Sequence, residues 1–291
     1  MKKIAICYIC TGPYVNFFKS FYETSKKFLL KNYEKHFFVF TNNKEFFSDY
    51  ISETEDITLT YIDHLPWPLI TLLRFNYFLL VEDKLKEFDF VMFANSNLKF
   101  VDYVNEHDFL PDLSLGQTLS VTTHAGFYQK THKMYPLEKN KKSKAYIKPG
   151  KEFTYVFGSM YVATSDEFIY LSNILKNNIE TDLKNNIIAL YHDETHLNHY
   201  VSTIEKSKIK LLPYSYCYPY PPELYPEFKK IIVTVNKKDV FDVDKFKSEI
   251  FINNKKRKNI RSFLYSNYVN KRGVKKIKFF NIPVYSKKIS N

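Results

Sequence analysis

Glycine is scarce in this chain, 6 in 291 residues, and cysteine scarcer still at 3, with a single tryptophan. So little glycine excludes a linker-rich or collagen-like chain, because nothing here supplies the backbone freedom those architectures use. Three cysteines cannot make a disulfide framework. No apolar run reaches the ~18 residues needed to cross a bilayer. Met1-Lys2-Lys3 followed by Ile4 to Cys10 imitates a secretory leader, but the run is too short, lacks a small-residue cleavage site, and reads as a first buried strand. The expected address is cytoplasmic.

Acidic residues are missing from the end of the chain. Residues 255–291 hold twelve Lys and Arg and no Asp or Glu, so this segment carries the whole formal net charge of +12. The 31 basic and 31 acidic groups of residues 1–254 cancel. Phe263, Leu264, Tyr265, Tyr268, Phe279, Phe280, Ile282 and Tyr285 interleave with the cations and make the tail amphipathic. Such a segment suits an anionic membrane surface, at ~1 kcal/mol per basic residue near the headgroups, and predicts peripheral attachment to the inner face of the cytoplasmic membrane. No zinc-finger spacing or RNA-recognition signature accompanies it, so nucleic acid is not the expected partner.

What the chain does have is 45% hydrophobic and 18% aromatic residues, the composition of an ordered globular protein. Lys3–Cys10, His36–Thr41, Ile57–Ile62 and Phe88–Ala94 read as strands, with 119–123, 153–164 and a short Ile231–Val235 after them. Helices are expected after the Thr11-Gly12-Pro13 turn, over Ile70–Leu85, over Asp166–Asn178 and over Thr181–Leu190. The alternation predicts an α/β fold with a mixed, mostly parallel central sheet flanked by helices. The Tyr218 to Glu223 run, rich in proline, reads as irregular surface or pocket wall.

Three constellations could carry chemistry. Cys7-Tyr8-Ile9-Cys10 matches C-x-x-C, but residues three apart on a strand face opposite ways, which favours core packing or pocket lining over redox or zinc chemistry. His192-Asp193-Glu194-Thr195-His196 departs from the zinc-protease pattern H-E-x-x-H, since Asp follows the first His. It reads better as adjacent carboxylates ~100° apart at a helix start, one able to hold a ligand hydroxyl and the other to face a reacting carbon. A first turn that merely complements the helix dipole is the bland alternative. Asn95-Ser96-Asn97 closes an apolar strand, where ligand sites of open α/β sheets lie. Two asparagines there offer neutral amides, poor ligands for a hard divalent cation without carboxylate help.

The string Tyr191-His-Asp-Glu-Thr-His-Leu-Asn198 closely resembles the hallmark of family 6 glycosyltransferases, the group containing the blood-group A and B transferases and α-1,3-galactosyltransferase. Trp67 with Arg74 seven residues on, Phe93 to Asn97, His124 to Tyr128 and Ser143 to Ile147 occur in family order, over about residues 3–238. The resemblance implies a GT-A fold over residues 1–240, with 241–291 as a basic C-terminal extension outside it. It implies retaining transfer of GalNAc or Gal from a UDP-sugar to the 3-hydroxyl of a β-galactoside, fucosylated in some members. On a glycolipid or lipopolysaccharide-type acceptor, that transfer would leave a blood-group-A-like product.

By the same resemblance Glu194 falls on the nucleophile or ion-pair stabiliser, and Asp193 on the residue that orients the donor hydroxyls. His124, Tyr191 and His192 match acceptor positions, and Ile9, Cys10, Thr11 and Tyr14 match the uridine pocket. Val156 and Gly158 align with donor-selecting positions, and a small Gly158 would leave room for an acetamido group, which favours GalNAc. Animal members carry Asp-x-Asp and require Mn²⁺. With Asn95 and Asn97 in its place the expectation is an enzyme without a metal cofactor, its leaving diphosphate held by amides and by Arg74 and Lys237. A carbohydrate-binding protein without catalysis is the contrasting reading, and the Asp193-Glu194 pair speaks against it.

Overall fold

Unbroken apolar runs such as Ile4–Tyr8, Phe37–Phe40 and Phe90–Ala94 cannot leave one sheet face in water, so the strands they form are buried on both faces. The computed structural model describes residues 1–221 and 228–243, and beyond them the backbone of three strands within 265–288. Two compact units result, Met1–Phe241 and Asp242–Asn291.

In chain order the strands of the first unit are β1 (Lys3–Ile9), β2 (Glu34–Thr41), β3 (Ile57–Tyr61), β4 (Phe90–Asn95), β5 (Leu98–Phe100), β6 (Leu119–Thr123), β7 (Val156–Thr164), β8 (Ile209–Leu212) and β9 (Ile232–Thr234). Seven form the central sheet in the order β3-β2-β1-β4-β7-β6-β8, and β5 pairs separately with β9. The β1-β2, β2-β3, β1-β4 and β6-β8 pairs are parallel, while β7 runs antiparallel to both β4 and β6. The reversal at β7 sets the site. It brings the start of β7 beside the carboxyl end of β4, with Met160 opposite Ala94.

Helices α1 (Phe18–Phe28), α2 (Ser48–Glu53), α3 (Leu69–Leu72), α4 (Arg74–Phe78), α5 (Glu82–Leu85), α6 (Glu106–Phe109), α7 (Ser165–Lys184) and α8 (His192–Val201) surround the sheet. On one face Tyr8 packs against Phe21 of α1, ring centroids 4.5 Å apart. On the other, Phe78 of α4 meets Phe93 at 5.4 Å and Phe168 of α7 at 5.3 Å. No helix among the described residues is long and apolar enough to cross a membrane.

Two helix expectations need correction. The single helix over Ile70–Leu85 is a chain of short turns, α3, α4 and α5, because Leu73 leaves helical geometry (φ −87°, ψ 4°) and Arg74 Nε donates to the Thr71 carbonyl at 3.1 Å. The helix expected over Thr181–Leu190 ends early: α7 runs unbroken from Ser165 to Lys184, and Asn186 at φ +57° turns the chain away. Asparagine is among the few residues that tolerate this left-handed geometry. Strands β5 and β8 carry no alternation long enough to read from sequence.

In the second unit, β10 (Tyr265–Val269), β11 (Val274–Phe279) and β12 (Ile282–Lys288) form an antiparallel sheet in sequence order. The side chains of the basic tail, like Pro222 and Glu223 of the proline-rich run, lie outside the described residues.

Candidate active site

Helix α8 opens against the start of β7, at the end of the sheet where β1 and β4 finish, and delivers Asp193 and Glu194 there. Asn198 fixes the docking: its Oδ1 accepts from Val156 N at 2.8 Å, and its Nδ2 donates to Val156 O and Glu194 O, both at 2.9 Å. Glu194 is gripped at both oxygens. Tyr155 Oη donates to Oε1 and Gly158 N to Oε2, each at 2.9 Å.

Burial raises the Glu194 carboxyl from 4.5 to about 7, outweighing those two donors, which favour the anion. Tyr155 is pushed up by burial and by the neighbouring carboxylate, so it remains a donor. A group that titrates near neutrality in a cleft is suited to act in either protonation state.

Asp193 is buried with Arg74, whose Nη1 lies 3.0 Å from its Oδ2. Burial pushes this carboxyl up and the guanidinium opposes that shift. Arg74 is held on further sides. Its Nη1 donates to Gly158 O at 3.0 Å, and its Cζ lies 4.4 Å from the Phe93 ring centre. Arg74 reaches the Asn95 motif only indirectly, through Gly158 and Ser159. The two carboxylates are not a solvated first turn answering a helix dipole.

The asparagines are also engaged. Asn95 Nδ2 donates to Ser159 Oγ at 2.9 Å, and Asn97 Nδ2 to Val235 O at 3.1 Å, while Val235 N bonds Asn97 O at 2.7 Å. Asn97 thereby ties down the strand that leads to Lys237, whose Nζ lies 5.2 Å from the centre of the Tyr14 ring. Tyr14, Asn97 and Lys237, far apart in sequence, are thereby brought near one another. Thr11 Oγ1 contacts His64 Nδ1 at 2.9 Å, and Gly12 N donates to Asn42 Oδ1 at 2.8 Å. His64 and Tyr155 carry no sequence signal, being a lone His and a lone Tyr, and only the fold brings them to the site.

Three expectations change. Gly158 leaves no free room, because a Cβ there would lie 2.9 Å from Glu194 Cβ and 3.2 Å from its Cα. The glycine is what lets α8 approach β7. Val156 is fully buried and its backbone is taken by Asn198, so its side chain offers no donor-facing surface. Cys10 is likewise wholly buried in the core, beside the half-buried Ile9, and burial pushes its thiol up. Gly158→Ala is expected to cost about 1 to 3 kcal/mol through overpacking. It should also lower turnover by displacing Glu194, read as a fall in both melting temperature and transfer rate.

The acceptor candidates form two groups. Tyr191 is exposed and His192, at φ +55°, sets its ring 4.4 Å from that of Trp67. His124 stands apart from them, among Phe127, Tyr155 and Phe157 at 4.9, 5.8 and 4.7 Å. Its Nδ1 accepts from Gly126 N, and burial lowers it to about 4, so the ring is neutral. His196 diverges from His192 and is buried 3.6 Å from Asp182, which separates the two histidines of the H-x-x-x-H spacing.

A divalent cation finds a poor donor set here. Positions 95 and 97 spend their amide nitrogens on Ser159 and Val235 and offer only neutral carbonyl oxygens, and Asp193 is paired with Arg74. Among the described residues no three His, Cys, Asp or Glu gather as a metal group.

The sequence model of glycosyltransferase family 6 matches residues 2–244, and the chain belongs to that family. It is 33% identical to an O-antigen biosynthesis glycosyltransferase, WbnI, of Escherichia coli, over 68% of this chain and 81% of that protein. Against histo-blood group ABO system transferase 1 of Rattus norvegicus identity is 24% over 71% of this chain and 58% of the relative. Against globoside alpha-1,3-N-acetylgalactosaminyltransferase 1 of Gallus gallus it is 24% over 76% and 64%. The match thus spans less than two thirds of these two animal proteins.

Proposed function

We propose that this protein is a retaining transferase that moves N-acetylgalactosamine from a UDP-sugar to the 3-hydroxyl of a β-galactoside, forming an α-1,3 linkage on a glycolipid or lipopolysaccharide-type acceptor. The observation that carries this reading is Glu194, an enclosed carboxylate held at both oxygens beside the buried Asp193. An oxocarbenium-like centre needs negative charge on one face while the diphosphate leaves from the other. Glu194 supplies that charge. Asp193, fixed by Arg74, orients the donor hydroxyls, so Arg74 acts as a positioning residue.

The uridine side is assigned to Ile9, Thr11, Tyr14, Asn95 and Asn97, with Lys237 closing over the diphosphate from the strand that Asn97 holds. The acceptor lies on His124, Tyr191 and His192. No metal takes part: amides and the Lys237 cation answer the charge on the leaving group. The basic tail at residues 255–291 holds the enzyme to the inner face of the cytoplasmic membrane.

Since Gly158 is filled by Glu194, the choice of N-acetylgalactosamine rests on the activity that the globoside relative is named for, and galactose is the second reading. Transfer from both UDP-sugars to β-galactosides with and without α-1,2-linked fucose, each with EDTA, tests the proposal. The expected result is transfer from UDP-GalNAc that EDTA leaves unchanged. Loss in EDTA with recovery on Mn²⁺ would overturn the metal-free mechanism, and no transfer to any acceptor would overturn the function.

A further inference from the structure

The catalytic unit has its own concentration of positive charge, separate from the tail. Between Lys130 and Lys151 the sequence places eight lysines against one acid, Glu138, a formal +7, so the remainder of residues 1–254 carries −7. All eight lysines are exposed.

The segment is a loop, but a tied one. Asp182 of α7 accepts from Ser143 Oγ at 2.5 Å and from Lys144 N at 2.7 Å, and Tyr146 O bonds His199 of α8 at 2.9 Å. Glu138 Oε2 accepts from Leu190 N at 3.0 Å. Glu138 and Asp182 both spend an oxygen on a backbone N–H group that holds the loop in place. The Glu138 bond also brings the loop against the turn that precedes α8, where Ile188, Leu190 and Tyr191 are exposed. Met134, 58% exposed, stands among the lysines. Lysines interspersed with exposed aliphatic and aromatic side chains match the charge and polarity of an anionic lipid interface, into which apolar groups insert while ammonium groups meet phosphates.

Position makes the match meaningful. Tyr135 of the same loop packs on Tyr155 at 5.5 Å, and Tyr155 holds Glu194. We propose that the Lys130–Lys151 loop and the exposed 188–191 turn form a docking face for an anionic phospholipid bilayer, one that turns the Glu194 cleft toward acceptors embedded in that surface. The orientation rests on the transferase reading above, whereas the docking face does not.

The test uses the full chain with Lys133, Lys139, Lys141 and Lys142 changed to Gln. A control with Lys19, Lys31, Lys206 and Lys208 changed to Gln removes the same charge from other exposed positions. Both keep the tail. Co-sedimentation is measured with phosphatidylglycerol-containing and pure phosphatidylcholine vesicles, and transfer with a soluble β-galactoside. At about fivefold per lysine near an anionic surface, the loop variant is expected to lose ~30-fold or more of its partition onto anionic vesicles, and the control only a few-fold. Soluble transfer should be unchanged in both. Equal losses in the two variants, or retained partition in the loop variant, would overturn the docking face. So would loss of oligonucleotide binding with vesicle binding intact, which would assign the lysines to nucleic acid. Absence of soluble transfer in the unaltered protein would instead strike the transferase reading and leave the vesicle result standing.

Discussion

Glu194→Gln is expected to abolish sugar transfer, by about 1,000-fold or more, and at the same time to make the protein harder to unfold at pH 8. The sign follows from the raised carboxyl, 4.5 to about 7. The native state binds this proton more tightly than the unfolded chain, so the stabilisation is fully present below pH 4.5 and lost as pH rises through about 7. Above that the enclosed anion costs about 3 kcal/mol, since each tenfold difference in proton affinity between the folded and unfolded states is worth ~1.4 kcal/mol. Glutamine fills the same space and never ionises: its carbonyl oxygen can accept from Gly158 N in place of Oε2, while its Nε2 faces Tyr155 Oη, whose hydroxyl can turn to accept. Melting curves should show the variant higher by roughly 5 to 10 °C at pH 8 and equal to the parent at pH 4. Transfer by the unaltered protein should climb through pH 7 as the carboxylate forms. A variant no more stable at pH 8, or one that retains transfer, would remove Glu194 from its assigned role.

Arg74→Met should destabilise the fold by about 3 to 5 kcal/mol, because it strands the Asp193 carboxylate without its cation. The melting temperature is expected to fall by roughly 6 to 20 °C. Adding Asp193→Asn should recover most of that loss, since a neutral amide does not need the guanidinium. Transfer should stay absent in the double variant, where stability returns and the donor-orienting carboxylate does not. Recovery of both together would mean that Asp193 serves only to hold Arg74.

Much of the fold was legible because burial on both faces of a parallel sheet demands unbroken apolar runs. Ile4–Tyr8, Phe37–Phe40 and Phe90–Ala94 satisfied that demand within their own sequence. The segment around Arg74 misled for a related reason. Apolar on every side, it reads as one helix, yet a buried arginine takes up the Thr71 carbonyl where the helix breaks at Leu73. Asn186 ended α7 by a local conformation that asparagine permits but does not require.

The site divides in the same way. The adjacency of Asp193 and Glu194, the amides at 95 and 97, and the partition of charge between body and tail are properties of the chain order, and the sequence by itself determined them. Whether a carboxylate is solvated or enclosed depends on what packs against it, and that comes from elsewhere in the chain. Gly158 lies 36 residues from Glu194 and 84 from Arg74, yet one of its backbone atoms bonds each. Tertiary structure alone decided that Glu194 titrates near neutrality, that Arg74 belongs to Asp193, and that Gly158 is small so that a helix can approach it, because desolvation and close contact exist only once those segments meet.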